Sequence, residues 1–199
     1  MNIAVFCSGN GSNFQAIVDS VKCGEVKAKI ALMVCDNPKA FALERAKGEG
    51  IKSLLVERKN IKTRDEFESE IIENLEQENI ELICLAGFMR LISPRFVQRY
   101  RHKILNIHPA LLPSFKGIYG IKEALDYGAK LTGVTVHFVD EETDHGPIIL
   151  QQALEIKQAD TEETLAGRIH ELEHKVYPQA IKLFVEGKLK IEERRVKIA

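Results

Sequence analysis

The segment from Leu82 to Gly87 is almost wholly apolar, and it constrains the fold of this chain more than any other stretch. A strand without a polar face is typical of the middle of a parallel sheet, because helices then cover both of its sides. Other strand-like runs alternate along the chain with segments whose apolar residues repeat at helical spacing. This alternation predicts a doubly wound α/β fold with right-handed crossovers.

The same patterns locate the individual elements of a mostly parallel, seven-stranded sheet with helices on both faces. The predicted strands are Asn2–Phe6, Ile30–Cys35, Ile51–Val56, Leu82–Gly87, a strand that begins at Ile104, Leu131–Asp140 and Ile148–Ile156. The predicted helices are Phe14–Val21, Phe41–Lys47, one that follows the capping residue Thr63, one from Pro94 to about Tyr100, Gly120–Tyr127, and one from the region of Thr161 to about Glu186. Residues 1–190 are therefore expected to form one domain, followed by a short charged tail at 191–199.

Composition disfavours several classes of protein. The net charge is −1 and no long run of Lys or Arg occurs, which argues against nucleic-acid binding. No apolar run approaches the length of a membrane span, and the N-terminus lacks the features of a signal peptide, so a cytoplasmic protein without membrane association is expected. The four cysteines have no C-x-x-C spacing, which favours buried reduced thiols over a zinc site or disulfides. No metal is expected.

A glycine-rich turn joins the first strand to the first helix. In residues 7–13 the backbone N–H groups and the helix dipole would converge on one point, as in an anion-binding site. The turn matches neither the dinucleotide fingerprint, since Phe14 occupies the third glycine position, nor the P-loop. A single phosphate group is therefore a better candidate ligand for this turn than a dinucleotide or ATP. An ordinary strand-to-helix turn, with Ser12 or Asn13 as the N-cap, explains the pattern about equally well.

Asn106 and His108 stand two residues apart at the end of the strand that begins at Ile104. Their side chains should share one face at the sheet edge where open α/β sheets bind ligands. An asparagine N–H can stabilise an oxyanion, and a histidine can transfer a proton near neutral pH. Alone, such a pair is more often a turn former and a histidine bonded to backbone, but the neighbouring features favour the catalytic interpretation.

Further candidates lie elsewhere in the chain. Asp144, in an acidic turn, could orient His108 and raise its pKa, although 36 residues separate the two. Arg64 begins a helix where a positive charge is unfavourable, which hints at a ligand contact; more often such an arginine is merely solvated. The apolar segment 88–92 follows a strand end and is either packed core or the wall of a pocket for a flat organic ligand. His137 faces opposite Val136 and is expected to be structural.

These residues belong to a series of motifs that occurs in a characteristic order. The motifs are Ser8–Asn13, Leu85–Arg90, Leu105–Pro109, Leu111–Pro113 and Asp144–Pro147. In this order the chain closely resembles the phosphoribosylglycinamide formyltransferases, folate-dependent enzymes of purine synthesis, from Met1 to the helix that ends near Lys190. The resemblance implies a Rossmann-like formyltransferase fold, with phosphate binding in the N-terminal half and folate binding and catalysis in the C-terminal half.

The resemblance also implies roles for individual residues. The implied catalytic residues are Asn106, His108 and Asp144. The implied contacts to the substrate are Gly11, Ser12 and Asn13 at its phosphate and Glu173 at its ribose. The implied contacts to 10-formyltetrahydrofolate, the formyl donor, are Arg64, Met89, Arg90, Leu91, Ile92 and Asn106. The chain departs from the family at 118–121, where some members have a histidine, and at Thr143, where leucine or methionine is common.

Three alternative functions are weighed against this one. A formyltetrahydrofolate deformylase would carry an additional N-terminal domain, and a methionyl-tRNA formyltransferase would carry an additional C-terminal domain and a basic surface. A non-catalytic protein that binds a nucleotide or folate would keep the glycine-rich turn but would not need Asn106, His108 and Asp144 together. The expected partners are small molecules, 5-phosphoribosylglycinamide and 10-formyltetrahydrofolate, with the chain as a monomer or homodimer.

Overall fold

A computed structural model describes residues 1–57 and 63–199 of the chain. In this part of the chain the strands form one sheet in the order β3-β2-β1-β4-β5-β6-β7-β9-β8. The strands are β1 Asn2–Cys7, β2 Lys29–Cys35, β3 Ser53–Leu55, β4 Leu82–Leu85, β5 Ile104–His108, β6 Leu131–Phe138, β7 Ile148–Glu155, β8 Leu189–Glu192 and β9 Arg195–Ile198. The strands β1 to β5 pair in parallel, whereas β6 is antiparallel to both β5 and β7.

Helices cover both faces of this sheet. They are α1 Ser12–Lys22, α2 Phe41–Gly48, α3 Arg64–Gln77, α4 Pro94–Arg99, α5 Gly120–Tyr127 and α6 Glu162–Val185. Side chains from α1, α2 and α6 pack with one face of the sheet, and those from α3 and α4 pack with the other. The doubly wound α/β fold predicted from the alternating pattern is confirmed. No helix within 1–57 or 63–199 combines the length and apolar character needed to cross a membrane.

The chain reverses direction across the sheet between β1 and β4. It proceeds outward from β1 to β3, and then returns so that β4 lies on the opposite side of β1. Loops at the carboxyl ends of two such strands leave in opposite directions and open a crevice, where doubly wound proteins bind their ligands. The motifs of the glycine-rich turn, the segment 88–92 and β5 all lie at this edge.

Three differences between the predicted elements and the structure stand out. The segment 191–199, predicted as a tail, belongs to a hairpin of β8 and β9 that extends the sheet through one parallel pair, Ile148 with Arg195. Nine strands therefore occur in the described residues instead of seven. The third strand is shorter than predicted, since only Ser53–Leu55 pairs with β2. The cap of α1 is Gly11, with neither Ser12 nor Asn13 in that position.

Candidate active site

The side chains of Asn106 and His108 project from the last residues of β5. Pairing between β4 and β5 ends at Leu85 and Asn106, so β5 continues to His108 without a partner on that side. His108 is buried and Asn106 half-buried. As predicted from the strand period, the two polar groups share one face and converge on a third residue.

That third residue is Asp144. Its Oδ1 accepts a hydrogen bond from Asn106 Nδ2 at 3.3 Å, and its Oδ2 lies 3.4 Å from His108 Nδ1. The backbone N–H of Gly117 donates to the same Oδ2 at 2.8 Å. Asp144 has a φ of 47° and lies in a tight turn, in which a Cβ on Gly146 would come within 1.9 Å of the Phe138 carbonyl oxygen. The predicted catalytic residues are thus brought together.

The surroundings of Asp144 favour its carboxylate form. Burial raises the pKa of this carboxyl group, but the neighbouring His137 ring, the hydrogen bond from the Gly117 N–H and the nearby His108 ring together outweigh burial and hold the pKa below its ordinary value. His108 Nε2 lies 2.8 Å from the carbonyl oxygen of Phe115. Both ring nitrogens therefore face oxygen acceptors, an arrangement that an imidazolium satisfies with one N–H at each position.

The glycine-rich turn reaches α1 through a left-handed residue. Gly11 has a φ of 75°, and a Cβ there would lie 2.7 Å from the Cβ of Ala42, so only glycine fits. Ser12 and Asn13 follow in the first turn of α1, where backbone N–H groups lack intrahelical partners. Arg45 donates from Nε to the Asn10 carbonyl at 3.0 Å and places a positive charge beside the turn.

Glu173 joins this turn to the long helix α6. It is 3% exposed, and its Oε2 accepts hydrogen bonds from Asn13 Nδ2 at 2.8 Å and from His170 Nδ1 at 2.9 Å. The bond to Glu173 raises the pKa of His170. Glu173 therefore lies beside the predicted phosphate-binding residues; its contact with the ribose stays a prediction.

A cavity of about 510 Å³ lies on the other face of the sheet. Of the predicted folate contacts it is lined by Arg64, Arg90, Leu91 and Ile92. Arg64 Nη2 donates to the Leu91 carbonyl at 2.5 Å, and Arg90 is held by Asp36 at 2.6 Å and stacks on Phe67. The two guanidinium groups thus shape the wall through contacts within the protein. Met89 does not line this cavity, but it is 64% exposed next to it.

The turn that carries Asp144 also contacts the C-terminal hairpin. Arg194, between β8 and β9, donates to the His145 carbonyl at 2.5 Å and lies 2.9 Å from His145 Nε2. His145 in turn holds Asp140 through an Nδ1 contact of 2.7 Å. Among the described residues, no group of three or more His, Cys, Asp or Glu is arranged to hold a metal ion.

Comparison with known proteins identifies the family. A family model described as formyl transferase matches residues 1–181. The chain belongs to the formyl transferase family. It is 52% identical over 179 residues to a Bacillus subtilis protein named phosphoribosylglycinamide formyltransferase, with 90% of this chain and 92% of that protein covered.

Two further matches agree with this membership. The chain is 44% identical over 191 residues to the human trifunctional purine biosynthetic protein adenosine-3; the match covers 96% of this chain and 19% of that longer protein. The crystal structure of glycinamide ribonucleotide transformylase 1 from Symbiobacterium toebii has a TM-score of 0.97 at 42% identity, covering 100% of this chain and 93% of that chain. The formyl transferase fold thus extends over the whole chain.

One residue of this formyl transferase was not recognised as part of the site from its sequence. His137 lies directly opposite Asn106 in the antiparallel pair of β5 and β6, and its Nε2 is 3.2 Å from Asn106 Nδ2 and 3.7 Å from Asp144 Oδ1. In its neutral form the ring accepts from Asn106, and in its protonated form it donates toward Asp144. The expectation that His137 is structural stays a prediction, although cross-strand register brings its ring into the cluster.

Proposed function

We propose that this protein transfers the formyl group of 10-formyltetrahydrofolate to the amino group of 5-phosphoribosylglycinamide. The observation that carries the proposal is the convergence of Asn106 and His108 on Asp144, at 3.3 and 3.4 Å, at the carboxyl edge of the sheet. Two relatives that match nearly the whole chain support the proposal. One is named phosphoribosylglycinamide formyltransferase and the other glycinamide ribonucleotide transformylase 1. A single domain, a cytoplasmic location and a monomeric or dimeric state stay predictions.

The chemistry follows from the donors at the end of β5. The substrate amine attacks the formyl carbon, a new C–N bond forms, and the carbonyl oxygen becomes an oxyanion. Asn106 Nδ2 and an N–H of His108 stabilise that oxyanion. When the bond from the formyl carbon to the folate nitrogen breaks, the proton lost by the amine passes to that nitrogen. Asp144 holds His108 in orientation for this transfer.

His108 must exchange one partner before it can act. Its Nε2 is engaged by the Phe115 carbonyl oxygen at 2.8 Å, so that nitrogen has no free hydrogen for an incoming ligand. A formyl oxygen that takes the place of the Phe115 carbonyl oxygen would accept the hydrogen bond that His108 Nε2 now donates to it. Phe115 has a φ of 52°, a conformation that residues other than glycine adopt at a cost, and a shift of this peptide would relieve it.

The substrate and the donor would approach from different sides of the crevice. Ser12 and Asn13, after Gly11, offer backbone N–H groups at a helix N-terminus to the substrate phosphate. Glu173, already bonded to Asn13, offers a carboxylate to the ribose hydroxyls. On the donor side, Arg64 and the segment 89–92 would contact the folate. Separate binding sites for the two substrates suit a reaction that requires both to be present.

An absorbance assay with each substrate omitted in turn tests the proposal. Purified protein is mixed with 5-phosphoribosylglycinamide and a 10-formyl folate analogue, with heat-inactivated protein as the blank. A signal that requires both substrates is the expected result. Release of the folate product without the ribonucleotide would show a deformylase instead. Absence of turnover, together with binding of either compound measured by calorimetry, would show a non-catalytic binding protein.

A further inference from the structure

Tyr177 is a fully buried residue in the second half of α6. Its hydroxyl lies 3.0 Å from the carbonyl oxygen of Leu85 and 3.0 Å from that of Leu105. A phenol O–H has one hydrogen, so these two acceptors share a single donor. The ring packs in the same hydrophobic cluster as residues of β1, β4 and β5, and the hydroxyl is the polar group of this buried side chain.

The two carbonyl groups mark the point where β4 and β5 separate. Leu85 is the last residue of β4 and pairs with Asn106, and beyond this pair the residues of the two strands are no longer paired. The Leu85 carbonyl belongs to the peptide that leads into the segment 86–92, on the proposed folate side. The Leu105 carbonyl belongs to the peptide that carries Asn106. One hydroxyl therefore contacts the backbone of both walls of the crevice at its base.

The same helix also reaches the proposed substrate side. Glu173 lies one turn before Tyr177 and accepts the hydrogen bond from Asn13. Side chains four apart on a helix lie on the same face. A single turn of α6 thus contacts the glycine-rich turn through one residue and the ends of β4 and β5 through the other.

We infer that Tyr177 is a positioning residue for formyl transfer, whose hydroxyl sets the spacing between the strand of Asn106 and the segment that faces the folate. This inference rests on the proposed function. The reaction needs the formyl carbon and the oxyanion donor within a few tenths of an ångström of their productive separation, since a misplacement of about 1 Å can cost about 100-fold in rate. Tyr177 touches neither substrate, so the effect of its hydroxyl should fall on kcat.

The variant Tyr177→Phe tests this, because it removes the shared hydroxyl and keeps the ring. The expected result is a fall in kcat of about tenfold, with KM for both substrates within about twofold of the wild type. Tyr100→Phe is the matched control, since it removes a buried hydroxyl from α4's C-cap on the other face of the sheet. Its kcat should equal that of the wild type.

Two further measurements keep the outcomes distinct. Incorporation of p-aminophenylalanine at Tyr177, which restores an N–H donor, should recover most of the lost kcat, and circular dichroism should show the native fold in each variant. A Tyr177→Phe kcat within twofold of the wild type, or an equal loss in Tyr100→Phe, or no recovery with the amino group, would overturn the inference. Failure of the wild type to transfer a formyl group would instead refute the proposed function, and this inference with it.

Discussion

The two walls of the crevice are built in opposite ways. On the proposed catalytic side, His108 and Asp144 have side chains only 4% and 11% exposed, and both Asp144 oxygens accept hydrogen bonds within the protein, Oδ1 from Asn106 and Oδ2 from Gly117. On the proposed folate side, Met89 and Leu91 are 64% and 71% exposed. The first wall is preformed by contacts within the protein, whereas the second leaves apolar surface for a ligand to cover. Substitutions on the first wall should therefore change the rate, and those on the second should change affinity.

The largest effect is expected from loss of an oxyanion donor. Asn106→Ala or His108→Ala should lower kcat by about 100- to 1,000-fold, because each removes a donor worth about 2.7–4 kcal/mol in the transition state. Steady-state kinetics with both substrates at saturation measures this. Asn74→Ala, a half-buried asparagine of α3 outside the proposed site, is the control and should be as active as the wild type. A variant of Asn106 or His108 with near-normal kcat would remove that residue from the proposed mechanism.

A smaller effect, on stability, is expected from Asp144→Asn. The pKa of Asp144 is lowered in the folded protein, so its ionised form stabilises the fold above the ordinary pKa of about 3.9, and this contribution is lost as pH falls through the lowered value. The free energy of unfolding should therefore differ between wild type and variant by about 1.5–3 kcal/mol at pH 7, the range for hydrogen bonds to charged groups. Below about pH 4 the difference should close.

Urea unfolding at a series of pH values from 7 to 3 measures that difference. Asp126→Asn serves as the control, since Asp126 is exposed on α5 and pairs with Lys122 four residues earlier. Its effect at pH 7 should stay within about 0.5 kcal/mol. If the difference for Asp144→Asn were constant down to pH 3, the cluster would not be preformed around an ionised carboxylate.

The smallest effect is expected on the second wall. Leu91→Ala should raise KM for the formyl folate by about three- to tenfold and leave kcat within about twofold, because burying part of a leucine side chain contributes about 1 kcal/mol. Leu131→Ala, which changes a leucine 58% exposed at the start of β6, is the control and should alter neither constant. A fall in kcat for Leu91→Ala at unchanged KM would mean that this wall, too, positions the reaction.

The sequence predicts those parts of the site that depend on local periodicity. The spacing of Asn106 and His108 on one strand, and the glycine-rich turn before α1, follow from rules that act within a few residues. His137 joins the cluster only because β5 and β6 pair in one particular register, and registers between distant strands are not encoded locally. The position of Asp144 likewise depends on the path of its turn and on the Gly117 N–H.

The fold shows the same division. The apolar run predicted as a strand at Leu82–Gly87 contains β4 at Leu82–Leu85, since a strand buried on both faces has a strong signature. The hairpin of β8 and β9 was missed because Lys, Arg and Glu dominate its composition, which is typical of a solvated tail. In the structure the half-buried side chains of Leu189, Ile191 and Val196 pack against the main core, while the charged residues face outward.

Arg194, which contacts His145, lies beyond the end of the family match, although it supports the turn that carries Asp144. The family match ends at residue 181, yet the guanidinium that holds the backbone next to Asp144 lies 13 positions beyond it. The region that the family model matches and the residues that contact the turn of Asp144 thus end at different places in the chain. Trimming this protein to the region that the family model matches would remove Arg194 and its contact with the turn that carries Asp144.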